Sequence, residues 1–598
     1  MSSTPATSAT ITSSSTNPKG SHISQKTSFS KPRPHPIHHQ IATPIYQQVT
    51  VSHPHKAFSK SASSLEFEFI PYILIPMLSL QFRISRLNKD IEIIKSIFSH
   101  EKTLHHFSFK LECLGPSNLN FLSSLFKNGP PLTTLNFDLS RLHVVSTSSL
   151  HPLCLAFKTL KHLSHLTLSF SQASHLDYSL LCSLKTLKGL SSLSLKLSAP
   201  KNPNPSSFRK WPKYLSQIPH LSDLSLALME CGSLIDQDLA VLFCSFNKFT
   251  QINSIKISFY GAQNCTAQGL YHFFNNIKDL KKLSKISLDI FAFDLCSHPE
   301  TFAAGFKLLD PQLLCYLSLD ISDIGFTDEG LIAFCAVLEG FQSLKTLYLS
   351  LAHNSRISHQ SLSKLALSLG KLHSLTSLEL DLADLENNDE CSQETMGLIS
   401  SGLAALKKLV YLRIDFTNLT QTRDEDLQEL ALSLKNFPLL EKLSLVFNSC
   451  RNLTDNGIKS LAESLKNLHN LKVLSLDFSY VKLMKNESLA SLACGIEGLS
   501  FLKDLELSFL FCQGIDYQGL IALAEGFEPL RELYNVNLSF PRSVTARGNI
   551  EGLERIFEVF RKLDSLKIIT VGVESMFLSD ELSDKFEIPS KEVDLCIL

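Results

Sequence analysis

The chain repeats one pattern about every thirty-one residues along most of its length. The repeated unit reads Leu-x-x-Leu-x-Leu-x-Φ, where Φ is a large apolar residue, as in the copy Leu163, Leu166, Leu168 and Phe170. Such a unit buries its apolar face only by stacking on its neighbours, so the period predicts a solenoid. Sixteen copies occur, and they begin at Leu104, Leu132, Leu163, Leu190, Leu221, Ile252, Leu283, Leu314, Leu344, Leu375, Leu409, Leu440, Leu471, Leu502, Leu533 and Leu566.

Each unit contains two kinds of periodicity. Apolar residues alternate within Leu-x-Leu-x-Φ, which predicts a half-buried strand. Between strands the period is helical, as in Ile458, Leu461 and Leu465, with Thr454 placed as the N-cap. Because a helix separates successive strands, the sheet is predicted to be parallel. Helices are wider than the strand spacing, so the predicted fold is an α/β horseshoe with the sheet on the concave face and the helices on the convex face.

Residues Leu453–Leu465 followed by Leu471–Phe478 resemble the leucine-rich repeat of the ribonuclease-inhibitor-like class, in which LTDxGxxxLAxxL precedes LxxLxLxx. The resemblance covers about residues 101–575 and implies a leucine-rich-repeat solenoid. Its class includes inhibitors, GTPase activators, immune-receptor sensor regions and ubiquitin-ligase adaptors, so it implies no single function. Such repeats usually carry Asn or Cys just after the strand, where this chain has Ser, Ala, Tyr, Phe or Thr in most copies. We expect packing of the Φ residues to replace the missing side-chain bonds.

Four regions are predicted along the chain. Residues 1–61 are rich in Ser, Thr, Pro and His, contain basic but no acidic residues, and are expected to be disordered. Residues 62–100 are expected to form an N-terminal cap, 101–575 the solenoid, and 576–598 a short acidic tail. The apolar stretch 69–80 is too short to span a bilayer, which needs about twenty residues.

Composition narrows the possible partners and chemistry. The formal net charge is −1, with 56 basic and 57 acidic residues, which argues against a nucleic-acid binder. None of the hydrolase, metalloprotease, P-loop or kinase signatures is present, so we expect a non-catalytic protein without a cofactor or a metal site. The 14 cysteines are scattered without CxxC pairs, which is typical of a reducing compartment. We expect a cytoplasmic monomer that does not enter a membrane.

The outward-facing strand positions form two columns along the concave face. In the first column we single out Tyr348, Glu379 and Arg413 as candidate partner-binding residues. Together with Glu379, five aspartates of the second column make what we call the acidic stripe: Asp289, Asp320, Asp381, Asp415 and Asp477. Like charges on adjacent strands are destabilising, which favours a role in binding a partner with a basic surface. A solvated strand face that prevents aggregation is the alternative interpretation.

Two irregular segments interrupt the repeats. The segment 198–214 carries Trp211, the only tryptophan, among basic residues, a composition typical of binding hot spots. Equally, Trp211 can fill the gap left by an irregular repeat. The acidic segment 384–394 lacks the spacing and the central glycine of a calcium loop, so no metal is expected there.

These observations predict a protein-interaction module or scaffold that binds a partner through its concave face. One alternative is a ubiquitin-ligase substrate adaptor of the F-box and leucine-rich-repeat type, with residues near 69–100 as a degenerate helical cap. Another is a GTPase-activating protein resembling Ran-type activators, which supply residues from the loops between strand and helix.

Overall fold

The computed structural model describes most of the solenoid. The described residues are 78–84, 104–111, 125–127, 129–139, 151–170, 178–198, 214–218, 220–229, 232–291, 293–295, 298–385, 395–574, 586, 588 and 591–597. The predicted N-terminal tail 1–61, most of the predicted cap, Trp211 and residues 386–394 of the acidic segment lie outside these residues.

Eighteen strands form one sheet, and each strand pairs in parallel with the next strand along the chain. Strands β2 to β17 coincide one for one with the sixteen sequence copies, which confirms the predicted parallel sheet. The strands β1 to β18 span Leu78–Ile84, Leu104–Leu111, Thr134–Leu139, His165–Phe170, Ser192–Ser198, Asp223–Met229, Ser254–Tyr260, Lys285–Phe291, Tyr316–Asp320, Thr346–Ser350, Ser377–Asp381, Tyr411–Asp415, Lys442–Val446, Val473–Asp477, Asp504–Ser508, Asn535–Phe540, Ile568–Val573 and Glu592–Ile597.

Helices alternate with the strands, as the second periodicity predicts. In the described part of the chain, α1 to α13 span His151–Phe157, Tyr178–Leu184, Asp236–Phe243, Ala267–Ile277, Pro299–Phe306, Asp328–Leu338, His359–Leu369, Thr395–Leu403, Asp424–Leu434, Asp455–Leu465, Asn486–Ile496, Tyr517–Phe527 and Glu551–Lys562. Two 3₁₀ helices are also found among the described residues: Phe246–Lys248 follows α3, and Arg542–Gly548 precedes α13.

The sheet extends beyond the repeats at both ends. Strand β1 pairs with β2, and β18 pairs with β17, so strands lie inside the regions predicted as a cap and an acidic tail. Both strands alternate apolar and polar residues, as in Val593, Leu595 and Ile597. The boundary predicted at residue 575 therefore does not coincide with the end of the sheet. A further predicted strand around Leu65 to Phe69 lies outside the described residues.

The core lies between the sheet and the helices. The Φ residues from Leu139 to Val573 are buried and continue the inward alternation by one position, as predicted. Toward the C-terminal end they form a ladder of phenylalanine rings whose neighbouring centroids lie 5.2–6.2 Å apart and whose planes differ by 9–13°. The rings of this ladder belong to Phe416, Phe447, Phe478, Phe509 and Phe540.

The expectation that packing replaces all bonds from Asn and Cys side chains is wrong for three repeats. Asn354, Cys450 and Cys512 lie three residues after Φ, are buried, and bond backbone groups of neighbouring loops. The Asn354 Oδ1 atom accepts from the Phe326 N–H at 2.8 Å, and the Cys512 Sγ donates to the Phe478 carbonyl at 3.0 Å. Because the Φ residue adds one inward position to the strand, these Asn and Cys side chains lie further along the loop than in the usual repeat.

A second ladder joins the helix starts. Thr454 caps α10 through its side chain, and both its N–H and its hydroxyl donate to the Asp424 carboxylate at the first turn of the preceding helix. The same arrangement links Thr266 to Asp236. A Cβ added at Gly457 would lie 2.5 Å from the Asp424 Oδ1 atom. The Thr454 and Gly457 positions of the Thr-Asp-x-Gly motif therefore receive the Asp424 carboxylate of the preceding repeat, and only glycine leaves room for it.

We expect Gly457→Ala to destabilise the protein, although Ala ordinarily favours a helix over Gly. The added methyl group displaces the Asp424 carboxylate, and overpacking of this kind costs about 1–3 kcal/mol. Gly498→Ala is the matched control, because open space surrounds Gly498 and the substitution is expected to be neutral or stabilising by less than about 1 kcal/mol. Chemical denaturation followed by circular dichroism measures both, and equal effects would contradict the steric explanation.

Candidate functional site

The strand register aligns the predicted columns of outward-facing residues. Glu379 pairs with Arg413, Asp381 pairs with Asp415, and these pairs lie on adjacent strands. Asp289 and Asp320 are paired in the same way between β8 and β9. The second column runs from Ser169 through Lys196, Ala227, Ser258, Asp289, Asp320, Ser350, Asp381, Asp415, Val446, Asp477, Ser508 and Ser539 to Gly572.

The outward side chains in the middle of this face are closely packed against one another. Ser350 is only 1% exposed, and Ser318 and Asp289 are 6% and 7% exposed. Asp320 and Asp381 are half-buried. The middle of the concave face is therefore less hydrated than an open strand surface, and charges placed there interact more strongly.

Four aspartates of the acidic stripe also shape the loops that follow their strands. In each case Oδ1 accepts the backbone N–H two residues later, at 3.1 Å for Asp320, 3.2 Å for Asp381, 2.9 Å for Asp415 and 2.8 Å for Asp477. Asp and Asn both make this local turn. The hydrogen bond thus explains a side-chain oxygen at these positions but does not require a negative charge.

The charges of the stripe are partly unfavourable to one another. Burial raises the pKa of Asp381, and the neighbouring Asp415 carboxylate raises it further, although bonds from the Ala383 N–H and the Ser350 hydroxyl lower it. The Ser350 Oγ donates to Asp381 Oδ2 at 2.9 Å. These donors offset only part of the cost of holding Asp381 ionised beside a second carboxylate.

Arg413 offsets part of the negative charge at one end of the stripe. Its Nε lies 3.2 Å from Glu379 Oε1, its Nη2 lies 3.8 Å from Asp415 Oδ2, and its Nη1 donates to the Ser444 Oγ at 2.9 Å. This arginine was predicted as a direct contact with a partner, and the structure shows that it already holds two carboxylates of the stripe.

Tyrosines surround the carboxylates. Burial raises the pKa of Tyr348 strongly, and the charges of Asp320, Asp381 and Glu379 raise it further, so its hydroxyl stays protonated. Burial, together with Glu379, raises the pKa of Tyr411 to about 12. The Tyr411 hydroxyl donates to Glu379 Oε2 at 3.4 Å.

Tyr316 and Tyr411 were not predicted as site residues from the sequence. They occupy a third outward column, two residues before the first one, at the start of β9 and β12. The period of two along a strand places them on the same face as Ser318 and Arg413, so extending the columns by one step would have identified them. Burial raises the pKa of Tyr316 as well.

Asp477 does not belong to this cluster, and Asp289, paired with Asp320, lies at one end of it. Asp477 has Val446 and Ser508 as its neighbours across the strands, so it lies apart from the other aspartates of the stripe. Asp289 lies near Lys256, whose pKa is lowered by burial while Asp289 raises it. Trp211 lies outside the described residues, so its role as a partner contact stays a prediction.

The described residues contain no group of three or more His, Cys, Asp or Glu side chains placed to hold a metal ion. None of the described helices combines the length and the apolar character needed to cross a bilayer. The buried thiols there serve the core, and burial raises the pKa of Cys335 and of Cys512 to about 12.

The repeat sequence, the parallel sheet and the helix-bearing repeats define an α/β leucine-rich-repeat solenoid of about sixteen repeats, similar to the ribonuclease-inhibitor-like class. No known protein-family profile matches the chain, and no curated protein sequence matches it.

The chain is similar to three solved structures, two of leucine-rich-repeat proteins and one of a protein complex. A protein of Leptospira interrogans is 14% identical, with 86% of this chain and 100% of that chain covered and a TM-score of 0.32. A chain of the Toll–Spatzle complex of Drosophila is 12% identical, with 86% of this chain and 67% of that chain covered and a TM-score of 0.31. LegL7 of Legionella pneumophila is 17% identical, with 71% and 97% covered and a TM-score of 0.29. Because these scores are low, the fold assignment rests on this chain's own strands and helices.

We expect Asp381→Asn to raise the free energy of unfolding at pH 7 by up to about 1 kcal/mol, because it removes a like-charge contact with Asp415. The folded-state pKa of Asp381 is raised. Its contribution to stability is therefore fully present below the unfolded pKa near 3.9 and is lost as the pH rises through the folded value. The substitution should therefore raise the free energy of unfolding most at pH values above the folded-state pKa of Asp381, and it should have no such effect at acid pH.

Asp477→Asn is the matched control, since Asp477 makes the same loop hydrogen bond without an acidic neighbour in its column. Denaturation curves of both variants across a pH series make the comparison. A loss of stability in Asp381→Asn at neutral pH, or an equal gain in both variants, would show that repulsion within the stripe is absent.

Proposed function

We propose that this chain is a non-catalytic protein-interaction module that binds a basic segment of a partner protein on its concave face. The observation that carries the proposal is the pair Asp381 and Asp415, held side by side on adjacent strands with the pKa of Asp381 raised. An arrangement that opposes folding at neutral pH is relieved by a cation from outside. Asparagine would preserve the loop hydrogen bonds without this cost, so the negative charge itself calls for a function.

The chemistry of the surface suits lysine and arginine side chains. Carboxylates of Asp320 and Asp381 accept charge-assisted hydrogen bonds from ammonium or guanidinium groups. The faces of Tyr316 and Tyr411 offer cation–π contacts within the same crowded surface. Because burial already reduces hydration of Asp381, binding requires less additional desolvation than it would at an open surface.

The stripe also sets the size of the segment that it accommodates. Asp289 and Asp415 lie on strands four steps apart, which corresponds to about 19 Å at a strand spacing of about 4.8 Å. An extended peptide covers that distance with about six residues. Arg413 neutralises the end near Asp415, so we place the first cationic residue between Asp320 and Asp381.

The test compares the wild-type chain with a variant that carries Asn at all five aspartates of the stripe. Both proteins are immobilised, partners are captured from native lysate, and the affinity for the captured partner is then measured with purified proteins. We expect the variant to bind at least about tenfold more weakly, because one lost charge-assisted bond contributes about 1.5 kcal/mol or more. Raising the salt concentration should weaken wild-type binding more than binding by the variant.

A second variant controls for the change in net charge. It carries Gln at five exposed glutamates away from the concave face, so it loses the same number of negative charges: Glu329, Glu425, Glu463, Glu497 and Glu525. We expect this variant to retain wild-type affinity. If the control loses as much affinity as the Asp-to-Asn variant, general electrostatic attraction and not the stripe accounts for binding.

A further inference from the structure

The loops that follow the strands share one unusual backbone position. Two residues after Φ, the chain takes a left-handed conformation in seven successive repeats, with φ between 53° and 64°. A ladder of backbone bonds holds this geometry, since the Tyr480 N–H donates to the Leu510 carbonyl at 2.7 Å and the Ser449 N–H donates to the Ser479 carbonyl at 2.8 Å. The seven residues are Asp323, His353, Asp384, Asn418, Ser449, Tyr480 and Phe511.

Two of these seven residues do not suit the conformation. Asn and Asp tolerate positive φ well, whereas bulky side chains such as Tyr480 and Phe511 are strained there. Their rings nevertheless stack with centroids 4.1 Å apart and planes within 17° of each other. They remain 40% and 42% exposed, and Leu483 in the same loop is 49% exposed. We call Tyr480, Leu483 and Phe511 the aromatic rim.

Cationic residues occupy the loops of the aromatic rim and the loops next to it. Arg451 and Lys482 occupy the same position in successive loops, four residues after Φ, and Arg542 follows Phe511 in the column of the left-handed residues. All three are exposed, and none forms an ion pair with a residue in the part of the chain that the structure describes. The carboxylate of Asp516 is engaged by other donors, since it accepts hydrogen bonds from the Gln518 N–H and from the Asn486 side-chain amide.

We propose that the aromatic rim, with Arg451, Lys482 and Arg542, is a docking site for an acidic peptide segment that carries a large apolar side chain. The stacked rings provide an exposed apolar platform, and the unpaired cations complement carboxylates on either side of the anchor. Strained residues that persist in a structure cluster at functional sites. This surface is distinct from the acidic stripe and has the opposite charge, so it recruits a different kind of partner.

An acidic peptide suits this site better than a nucleic acid does. Stacked aromatics with cations also bind single strands, whose phosphates repeat at every nucleotide. Here the carboxylate of Asp477 lies at the end of the strand that leads into Tyr480, and its Oδ1 bonds the Ser479 N–H. A continuous phosphate backbone would approach that charge, whereas a peptide can place its few carboxylates on the side of Arg451 and Lys482.

The experiment selects peptides from a random display library on the immobilised full chain and measures their affinity by fluorescence anisotropy. We expect the selected peptides to be enriched in Asp and Glu beside Phe, Trp or Leu. Two double variants, Tyr480→Asn with Phe511→Asn and Arg451→Glu with Lys482→Glu, should each weaken binding at least about tenfold. Asn is the residue that the chain itself uses at the equivalent position of Asn418, so the thermal midpoint of the first variant should not fall.

Matched controls carry the same changes at exposed positions of the helices: Leu367→Asn with Leu432→Asn, and Lys435→Glu with Lys466→Glu. These variants should bind the selected peptides as the wild-type chain does. Failure to enrich acidic peptides, or binding that the two rim variants leave unchanged, would overturn the proposal. Tighter binding of a fluorescent oligothymidylate that depends on the same residues would also overturn it and assign the rim to nucleic acid.

Discussion

Packing of each repeat against its two neighbours is the interaction on which the rest of this structure depends. A single strand and helix cannot bury the leucines at the positions of Leu471, Leu474 and Leu476, but the next copy covers them completely. Burial of such side chains is the dominant favourable contribution to folding. Because the unit is nearly constant in length, the same contacts recur with little change, and the outward residues fall into straight columns.

Polar ladders determine how closely one copy follows another. At the helix starts, carboxylates such as Asp424 bond the cap of the next repeat, and Gly457 provides the space they need. In the loops, backbone bonds between successive copies impose the left-handed turn, and Asn354 secures a bend from inside the core. These local bonds keep the columns in register, so charges on the concave face lie next to each other whether or not this is favourable.

Sequence reasoning predicted the sheet, the alternation of helices and the two outward columns, because each depends on a period that is visible along the chain. It did not predict the strand Glu592–Ile597, whose alternating Val593, Leu595 and Ile597 lack the leading leucine of the repeat, and which pairs with β17. Burial of Asp289 and the ion pairs of Arg413 also escaped prediction, since both depend on side chains of neighbouring strands about thirty residues away. Tyr316 and Tyr411 were within reach of the same reasoning and were omitted because only two columns were followed.

Hydroxyl-radical footprinting of the chain with and without its basic partner tests the proposed role of the concave face most directly. Tyrosine rings are oxidised readily when accessible, and Tyr316 and Tyr411 lie at the start of strands that carry the stripe. We predict that saturating partner protects these two tyrosines, while oxidation of Tyr480 and Phe511 on the loops is unchanged. Saturated binding without protection of Tyr316 and Tyr411 would contradict it.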